Sequence, residues 1–178
     1  MKISDFEVRR VLVDSRSMAN ILFKDTFDKL QVRESNIQPM STPLVGFNGE
    51  EVKPLGRISV PVEVGMWPNI TRFKHTFLVV ATPSPYNAII GRPINHALRA
   101  VVSTYYLAMK FPMDFGVGVV WGDQLKSRKC YIVALKEKAR LADDVKLERP
   151  VEYPEERATP TEETIHILTL KEDLARTL

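Results

Sequence analysis

The segment Arg57–Val64 constrains the fold more than any other, because apolar residues fill every second position of it. Ile58, Val60, Val62 and Val64 alternate with polar residues and a proline. Successive side chains of a strand point to opposite faces, so this pattern predicts a β-strand with one buried face. Further strands are predicted at Glu7–Val13, Phe73–Val80, Ala88–Ile90, Ala100–Thr104 and Tyr106–Phe111. We therefore expect a mainly β fold.

Three segments predict helices beside these strands. Met18–Leu30 is expected to be a helix, because its apolar residues recur at near-helical spacing. Pro93–Leu98 begins with a proline, which is common in the first turn of a helix. A third helix is expected from Tyr131, within the basic segment Lys126–Arg140. One or two short helices should therefore accompany the β core.

The composition excludes several classes of protein. Of 178 residues, 44% are hydrophobic, and the net charge of +3 is too small for the dense basic surface of a specific nucleic-acid-binding protein. The single cysteine, Cys130, allows no internal disulfide, so we expect an intracellular, cytoplasmic protein. No apolar run has the roughly 18 residues of a membrane span. We therefore expect no membrane partner. The histidines lie far apart in sequence and have no cysteine or carboxylate at ligand spacing, so we expect no metal. We also expect no cofactor.

The character of the sequence changes twice along the chain. Residues 1–112 are rich in apolar residues and turns, and we expect them to form the folded domain. Residues 113–140 are expected to be a basic extension that packs on or flanks this core, with a solvated face rather than an RNA-binding one. Residues 141–178 hold many Asp, Glu and Pro residues, which predicts a largely disordered linker with a terminal helix at Ile165–Leu178.

An aspartate stands at the end of the apolar run Val11–Val13. Asp14 follows this run directly, and Ser15 adds a small hydroxyl residue. A strand that delivers a carboxylate to a tight loop is how an aspartic peptidase presents its catalytic residue. Taken alone, however, an Asp that begins a turn after a strand is the commoner cause of this pattern.

Two further features strengthen this interpretation of Asp14. Ile89-Ile90-Gly91 places an apolar pair and a glycine before a short helix, and in small aspartic peptidases a strand of this kind packs behind the catalytic loop. Asn48-Gly49 predicts a two-residue hairpin turn between strands Thr42–Phe47 and Glu50–Lys53, since both turn positions favour positive φ. This hairpin lies between the other two features in sequence, where a flap over a cleft would be.

In these features the chain resembles the retropepsin-like aspartic proteases of gypsy-type plant LTR retrotransposon gag–pol polyproteins. The resemblance covers residues 7–135 and is carried by Val11–Leu22, Ser41–Gly56, Phe77–Pro93 and Ala100–Pro112. It implies a closed β-barrel-like fold and hydrolysis of peptide bonds in a peptide or polyprotein substrate. It also implies that two identical subunits form one active site.

The resemblance assigns roles to individual residues. Asp14 would be the catalytic residue of each subunit, and Ser15 would hydrogen-bond across the active-site loops. The flap would contain Gly46, Phe47, Asn48 and Gly49, while Arg16, Ile89, Ile90 and Gly91 would be structural residues near the site. No second apolar-Asp-Ser/Thr-Gly segment occurs in the sequence, so the second carboxylate must come from a symmetric partner. Two close carboxylates share a proton, which allows one to activate water and the other to donate to the scissile carbonyl.

Arg16 departs from the family, in which glycine follows the hydroxyl residue. Glycine tolerates unusual φ values and allows close approach of other groups. A cation about 4 Å from the carboxylate would favour two ionised carboxylates and remove the shared proton. Asn20 also replaces an acidic residue typical of the family, which indicates drift. We therefore expect impaired catalysis, although an outward-pointing Arg16 would spare the site. The alternative is a catalytically dead protease fold kept as a dimerisation or peptide-binding module.

Overall fold

The computed structural model describes residues 1–46, 51–114 and 116–143. Its strands are β1 Lys2–Ile3, β2 Phe6–Glu7, β3 Val11–Val13, β4 Ile21–Phe23, β5 Leu44–Val45, β6 Glu51–Val52, β7 Gly56–Met66, β8 Asn69–Val80, β9 Ala88–Ile90, β10 Val101–Ser103, β11 Ala108–Met113 and β12 Gly116–Trp121. Its helices are α1 Lys24–Lys29, α2 Arg92–Ala97 and α3 Gln124–Asp143, with a 3₁₀ turn at Glu34–Asn36. The expected mainly β fold with short helices is confirmed.

The largest sheet has seven strands in the order β2-β1-β7-β8-β4-β9-β3, with β2 and β3 at its edges. β7 pairs antiparallel with β8 along its whole length. The one-sided burial predicted for Arg57–Val64 is confirmed, since Ile58, Val60, Val62 and Val64 are each at most 3% exposed. Together with Phe77 of β8, these side chains lie in the central apolar cluster of the domain.

A second sheet, in the order β10-β11-β12, completes the core. Met109 and Phe111 of β11 are buried in the same apolar cluster as β7. The expected domain boundary at residue 112 falls inside β11, and β12 pairs with β11 over its full length. The compact unit that contains these strands runs from Met1 to Asp144. Part of the expected extension, β12, therefore pairs with β11 as an edge strand of this sheet.

Helix α3 begins earlier than the sequence predicts. It starts at Gln124 rather than at Tyr131. Asp123 explains the earlier start, because its Oδ1 accepts a hydrogen bond from the backbone N–H of Lys126 at 3.0 Å, as an N-cap residue does. Among the described residues, no helix is both long and apolar enough to cross a membrane.

The helix predicted at Met18–Leu30 is wrong over its first half. Ile21–Phe23 forms β4, and only Lys24–Lys29 is helical. β4 lies between β8, with which it pairs parallel, and β9, with which it pairs antiparallel. Pairing with strands distant in sequence supplies its hydrogen bonds, so tertiary context overrides the local helical spacing.

The strand predicted at Glu7–Val13 is two strands in the structure. β2 ends at Glu7 and β3 begins at Val11, and the two occupy opposite edges of the large sheet. Arg10, between them, has a φ of 54°, which reverses the extended path of the chain. The apolar pattern alone did not indicate this break.

The predicted Asn48-Gly49 turn lies outside the described residues, but the strands on each side of it are present. Leu44–Val45 pairs antiparallel with Glu51–Val52, and Val45 lies opposite Glu51. A two-residue turn at Asn48-Gly49 would instead place Val45 opposite Val52. The register therefore differs by one residue from the predicted one. The expected linker and terminal helix also lie outside the described residues, apart from the last residues of α3.

Candidate active site at the Asp14 loop

Asp14 lies where β3 leaves the sheet. Its backbone N–H donates to the carbonyl of Ile90 at 2.9 Å, which extends the pairing of β3 with β9 by one bond. Its own carbonyl accepts from the N–H of Ser17 at 3.2 Å, which closes a turn through Ser15 and Arg16. Asp14 is half-buried, whereas the two turn residues are exposed. Residues 14–20, the Asp14 loop, therefore present one carboxylate at the end of a half-buried strand.

The two oxygens of the Asp14 carboxylate have different surroundings. Oδ1 accepts a hydrogen bond from the backbone N–H of Arg16 at 2.9 Å. Oδ2 has no hydrogen-bond partner within residues 1–46, 51–114 and 116–143. One oxygen is thus held by the loop, while the other is free to meet a water molecule or a second carboxylate.

Two features of Arg16 within one chain bear on the expectation of impaired catalysis, which stays a prediction. Arg16 is not among the residues with positive φ, so the loop does not use the backbone conformation that would require glycine. Its side chain is exposed and forms no ion pair with Asp14 within 4.0 Å. Within one chain, Arg16 therefore contributes a backbone donor to the carboxylate rather than a neighbouring cation.

Gly91 allows the segment after β9 to pack directly against the Asp14 loop. A Cβ at this position would lie 2.8 Å from the carbonyl oxygen of Ser17 and closer still to that of Ala19. Backbone carbonyls cannot move aside as a flexible side chain can, so only glycine fits. The N–H of Arg92 donates to the same Ser17 carbonyl at 2.9 Å and fixes the loop from behind.

Asn20 is a structural residue of the site that the sequence did not reveal. Its Oδ1 accepts from the N–H of Gly91 at 3.0 Å, and its Nδ2 donates to the carbonyl of Thr76 at 3.0 Å. The residue is only 2% exposed. An ionised Asp could make the first of these bonds but not the second, because a carboxylate has no donor. Asn20 therefore fits its place in the fold, while its interpretation as drift stays a prediction.

The structure places only some of the remaining predicted site residues beside the Asp14 loop. Ile89 and Ile90 lie in β9 opposite Leu12 and Val13 of β3, so they adjoin the Asp14 loop. Ser15 is exposed and makes no hydrogen bond within the described part of the chain. Gly46 is exposed beyond the end of β5. Phe47, Asn48 and Gly49 lie outside the described residues, so the flap stays a prediction.

No metal-binding cluster accompanies this site in the described residues, where no three His, Cys, Asp or Glu side chains lie close enough to hold an ion. The chemistry available at the loop is that of one half-buried carboxylate, its backbone donor and a neighbouring hydroxyl. One carboxylate can act as a base or as an acid, but the joint action of both roles on one substrate requires a second group.

The solved structures that are similar to this chain include a retroviral protease-like domain. The chain is similar to the retroviral protease-like domain of Ddi1 from Leishmania major, with 15% sequence identity and a TM-score of 0.48. The alignment covers 69% of this chain and 92% of that domain. No family model matches the chain, and no curated protein matches it.

Proposed function

We propose that this chain is an aspartic endopeptidase domain of the retropepsin type, derived from an LTR retrotransposon gag–pol polyprotein. The observation that carries the proposal is the Asp14 carboxylate. It stands half-buried at the end of β3, with one oxygen held by the Arg16 N–H and the other unpaired among the described residues. Its substrate would be an extended segment of a polyprotein, and the reaction would be hydrolysis of a peptide bond.

The proposed enzyme acts as a homodimer. Within the described residues, Asp14 is the only strand-terminal Asp that is followed by a hydroxyl residue. Asp25-Thr26 is the other Asp-hydroxyl pair, but it lies in α1, and the Thr26 hydroxyl donates to Asn87 at 3.2 Å. A second copy related by two-fold symmetry would supply the missing carboxylate, since an isologous contact places equivalent residues together.

The proposed mechanism follows from two carboxylates a few ångströms apart. They cannot both ionise easily, so they share one proton and titrate as a pair. The ionised Asp14 takes a proton from a water molecule held between the two, and the protonated Asp14 of the other subunit donates to the scissile carbonyl. The Arg16 N–H on Oδ1 would orient each carboxylate for these roles.

Peptide cleavage by paired variants tests this proposal. The wild-type chain should cleave a peptide library at acidic pH, and Asp14→Asn should abolish cleavage, because an amide cannot act as the base. The matched control is Asp25→Asn, which changes an exposed Asp beside a hydroxyl residue on α1 and should leave cleavage intact. Cleavage that survives Asp14→Asn, or that is lost equally in both variants, would contradict the assignment.

A second candidate function is a dimerisation or peptide-binding module without catalysis. The observation that favours it is Arg16, whose exposed cation would be brought to the two-fold axis twice in a dimer. This candidate predicts a dimer in sedimentation and peptide binding without turnover. A monomer that neither binds nor cleaves peptides would argue against both functions.

A further inference from the structure

Helix α3 presents an apolar stripe on the side that faces away from the domain. Of its side chains that the structure describes, only Cys130 is buried, and its Sγ lies 4.0 Å from the carbonyl oxygen of Pro85. At about 100° per residue, the opposite side of the helix carries Leu125, Ile132 and Leu135. The α3 stripe consists of these three residues and the neighbouring Tyr131, and each of the four is about half exposed or more.

Aromatic side chains extend the α3 stripe onto the neighbouring turn. Tyr105 and Tyr131 line one open depression of about 320 Å³ between the β10–β11 turn and α3. Tyr105 also packs edge-to-face against Tyr106, with 5.0 Å between the ring centroids. Tyr105, Tyr106 and Trp121, the last residue of β12, are all well exposed. A contiguous exposed apolar surface of this kind marks a place that meets another apolar phase.

Cations accompany the α3 stripe. Arg128, Lys129 and Lys136 are exposed and form no ion pair within the described residues. Lys126, by contrast, pairs with Asp123 at 3.0 Å. A second copy of the same surface would bring like charges together, which disfavours self-association through the stripe. The charge therefore favours an anionic occupant.

Shape and chemistry favour a lipid surface over a peptide or RNA. A single exposed helix is a convex ridge, whereas peptides are usually held in grooves or along sheet edges. Leu125, Ile132 and Leu135 offer no ring on which a base could stack. Tyr and Trp are enriched where apolar and aqueous phases meet, and adjacent Lys and Arg residues are attracted to anionic headgroups.

We propose that α3 and the adjoining aromatic rings bind the surface of an anionic lipid membrane. The α3 stripe enters the boundary between headgroups and acyl chains, while Arg128, Lys129 and Lys136 stay at the level of the lipid phosphates. The expectation of no membrane partner rested on the length of a spanning segment, whereas a helix that lies in the plane of the surface needs no such length. Lipid binding does not use Asp14, so it is independent of the proposed peptidase activity.

Flotation of the full chain with lipid vesicles tests the apolar contact. The chain should float with phosphatidylcholine vesicles that contain phosphatidylserine. Ile132→Gln/Leu135→Gln should weaken this binding about tenfold or more, because apolar surface is no longer buried. The control Val45→Gln/Leu55→Gln removes exposed apolar side chains on β5 and just before β7, and should have less than about a twofold effect. Equal losses in both variants, or no flotation of the wild-type chain, would overturn the proposal.

The contribution of charge is tested with the same vesicles. Arg128→Gln/Lys129→Gln should weaken binding about tenfold or more, because each cation near an anionic surface contributes about 1 kcal/mol. Arg33→Gln/Lys74→Gln removes the same charge from exposed positions on other elements and should have a smaller effect. If the wild-type chain instead binds a single-stranded RNA oligonucleotide, and both α3 double variants lose that binding while vesicles stay unbound, the surface belongs to RNA and the proposal fails.

The two tryptophans of the chain report which part of the protein meets the lipid. Trp121 lies just before α3, whereas Trp67 lies in the turn between β7 and β8 and is 86% exposed. Anionic vesicles should shift the fluorescence of Trp67→Phe, which keeps only Trp121, to shorter wavelength. They should leave the fluorescence of Trp121→Phe unchanged. The reverse result would place the lipid at the β7–β8 turn and would overturn the proposal.

Discussion

Strand β8 takes part in two polar networks, one buried and one exposed. In the buried network, Asn20 bonds to the carbonyl of Thr76 on β8 and to the N–H of Gly91. In the exposed network, Glu63 accepts from Arg72 on β8 at 2.8 Å; the Arg72 side chain is 75% exposed and that of Glu63 is 18% exposed. Water can replace the partners of an exposed pair but not those of a buried amide. The buried network should therefore determine where the Asp14 loop lies, whereas the exposed one should only adjust stability.

Of the changes that test this comparison, Gly91→Ala should lower the free energy of unfolding most. The new Cβ would overlap two backbone carbonyls of the Asp14 loop, so the loop or β9 must move. Overpacking of this kind typically destabilises a protein by about 1–3 kcal/mol. Urea unfolding would measure the loss. Gly116→Ala is the control, because its Cβ would meet nothing within 4 Å and only its φ of 121° disfavours alanine. If Gly91→Ala is no worse than Gly116→Ala, close approach does not explain the glycine.

Asn20→Asp should have the next largest effect. It keeps the acceptor for Gly91 but replaces the donor to Thr76 with an ionised oxygen in a buried place. The loss should be about 2 kcal/mol or more at neutral pH. It should shrink on acidification, because a protonated Asp regains a donor. Asn69→Asp, at the exposed first residue of β8, should be nearly neutral. A loss that is independent of pH would contradict this account.

The sequence predicted well the features that depend on residues close to one another in the chain. β7 was found because its alternation is local and reflects a single buried face. The resemblance to small aspartic peptidases placed Ile89-Ile90-Gly91 behind the Asp14 loop, and β9 does lie beside β3. Each of these features can be recognised from residues that are adjacent in the sequence.

What the sequence missed depends on long-range partners. Asn20 bonds to residues 56 and 71 positions away, and nothing near it in sequence indicates either contact. β4 was predicted as helix because Ile21 and Leu22 fit a helical spacing with Phe27, which is buried in α1.

Arg16→Gly changes an exposed residue of the Asp14 loop. It should affect stability less than Gly91→Ala or Asn20→Asp. The side chain makes no ion pair in the described chain, so only the added freedom of glycine in the unfolded chain should matter, about 0.4–1 kcal/mol. Arg16→Ala should match Arg16→Gly in peptide cleavage, because the backbone at this position has no positive φ. Cleavage that is gained with glycine but not with alanine would show that the loop needs glycine in the dimer.

Glu63→Gln should have the smallest effect and should be visible mainly as a change in acid sensitivity. The hydrogen bond from Arg72, helped by that from Lys2, holds the pKa of Glu63 below its usual range. A lowered folded-state pKa stabilises above the unfolded pKa, and this contribution is lost as the pH falls through the folded one. Glu63→Gln should therefore lose less stability than wild type on acidification, measured by urea midpoints at neutral and acidic pH. Glu51→Gln, an exposed strand glutamate without an ion pair in the described residues, should keep the wild-type difference. An identical acid response in both variants would mean that the exposed network adds nothing to the fold.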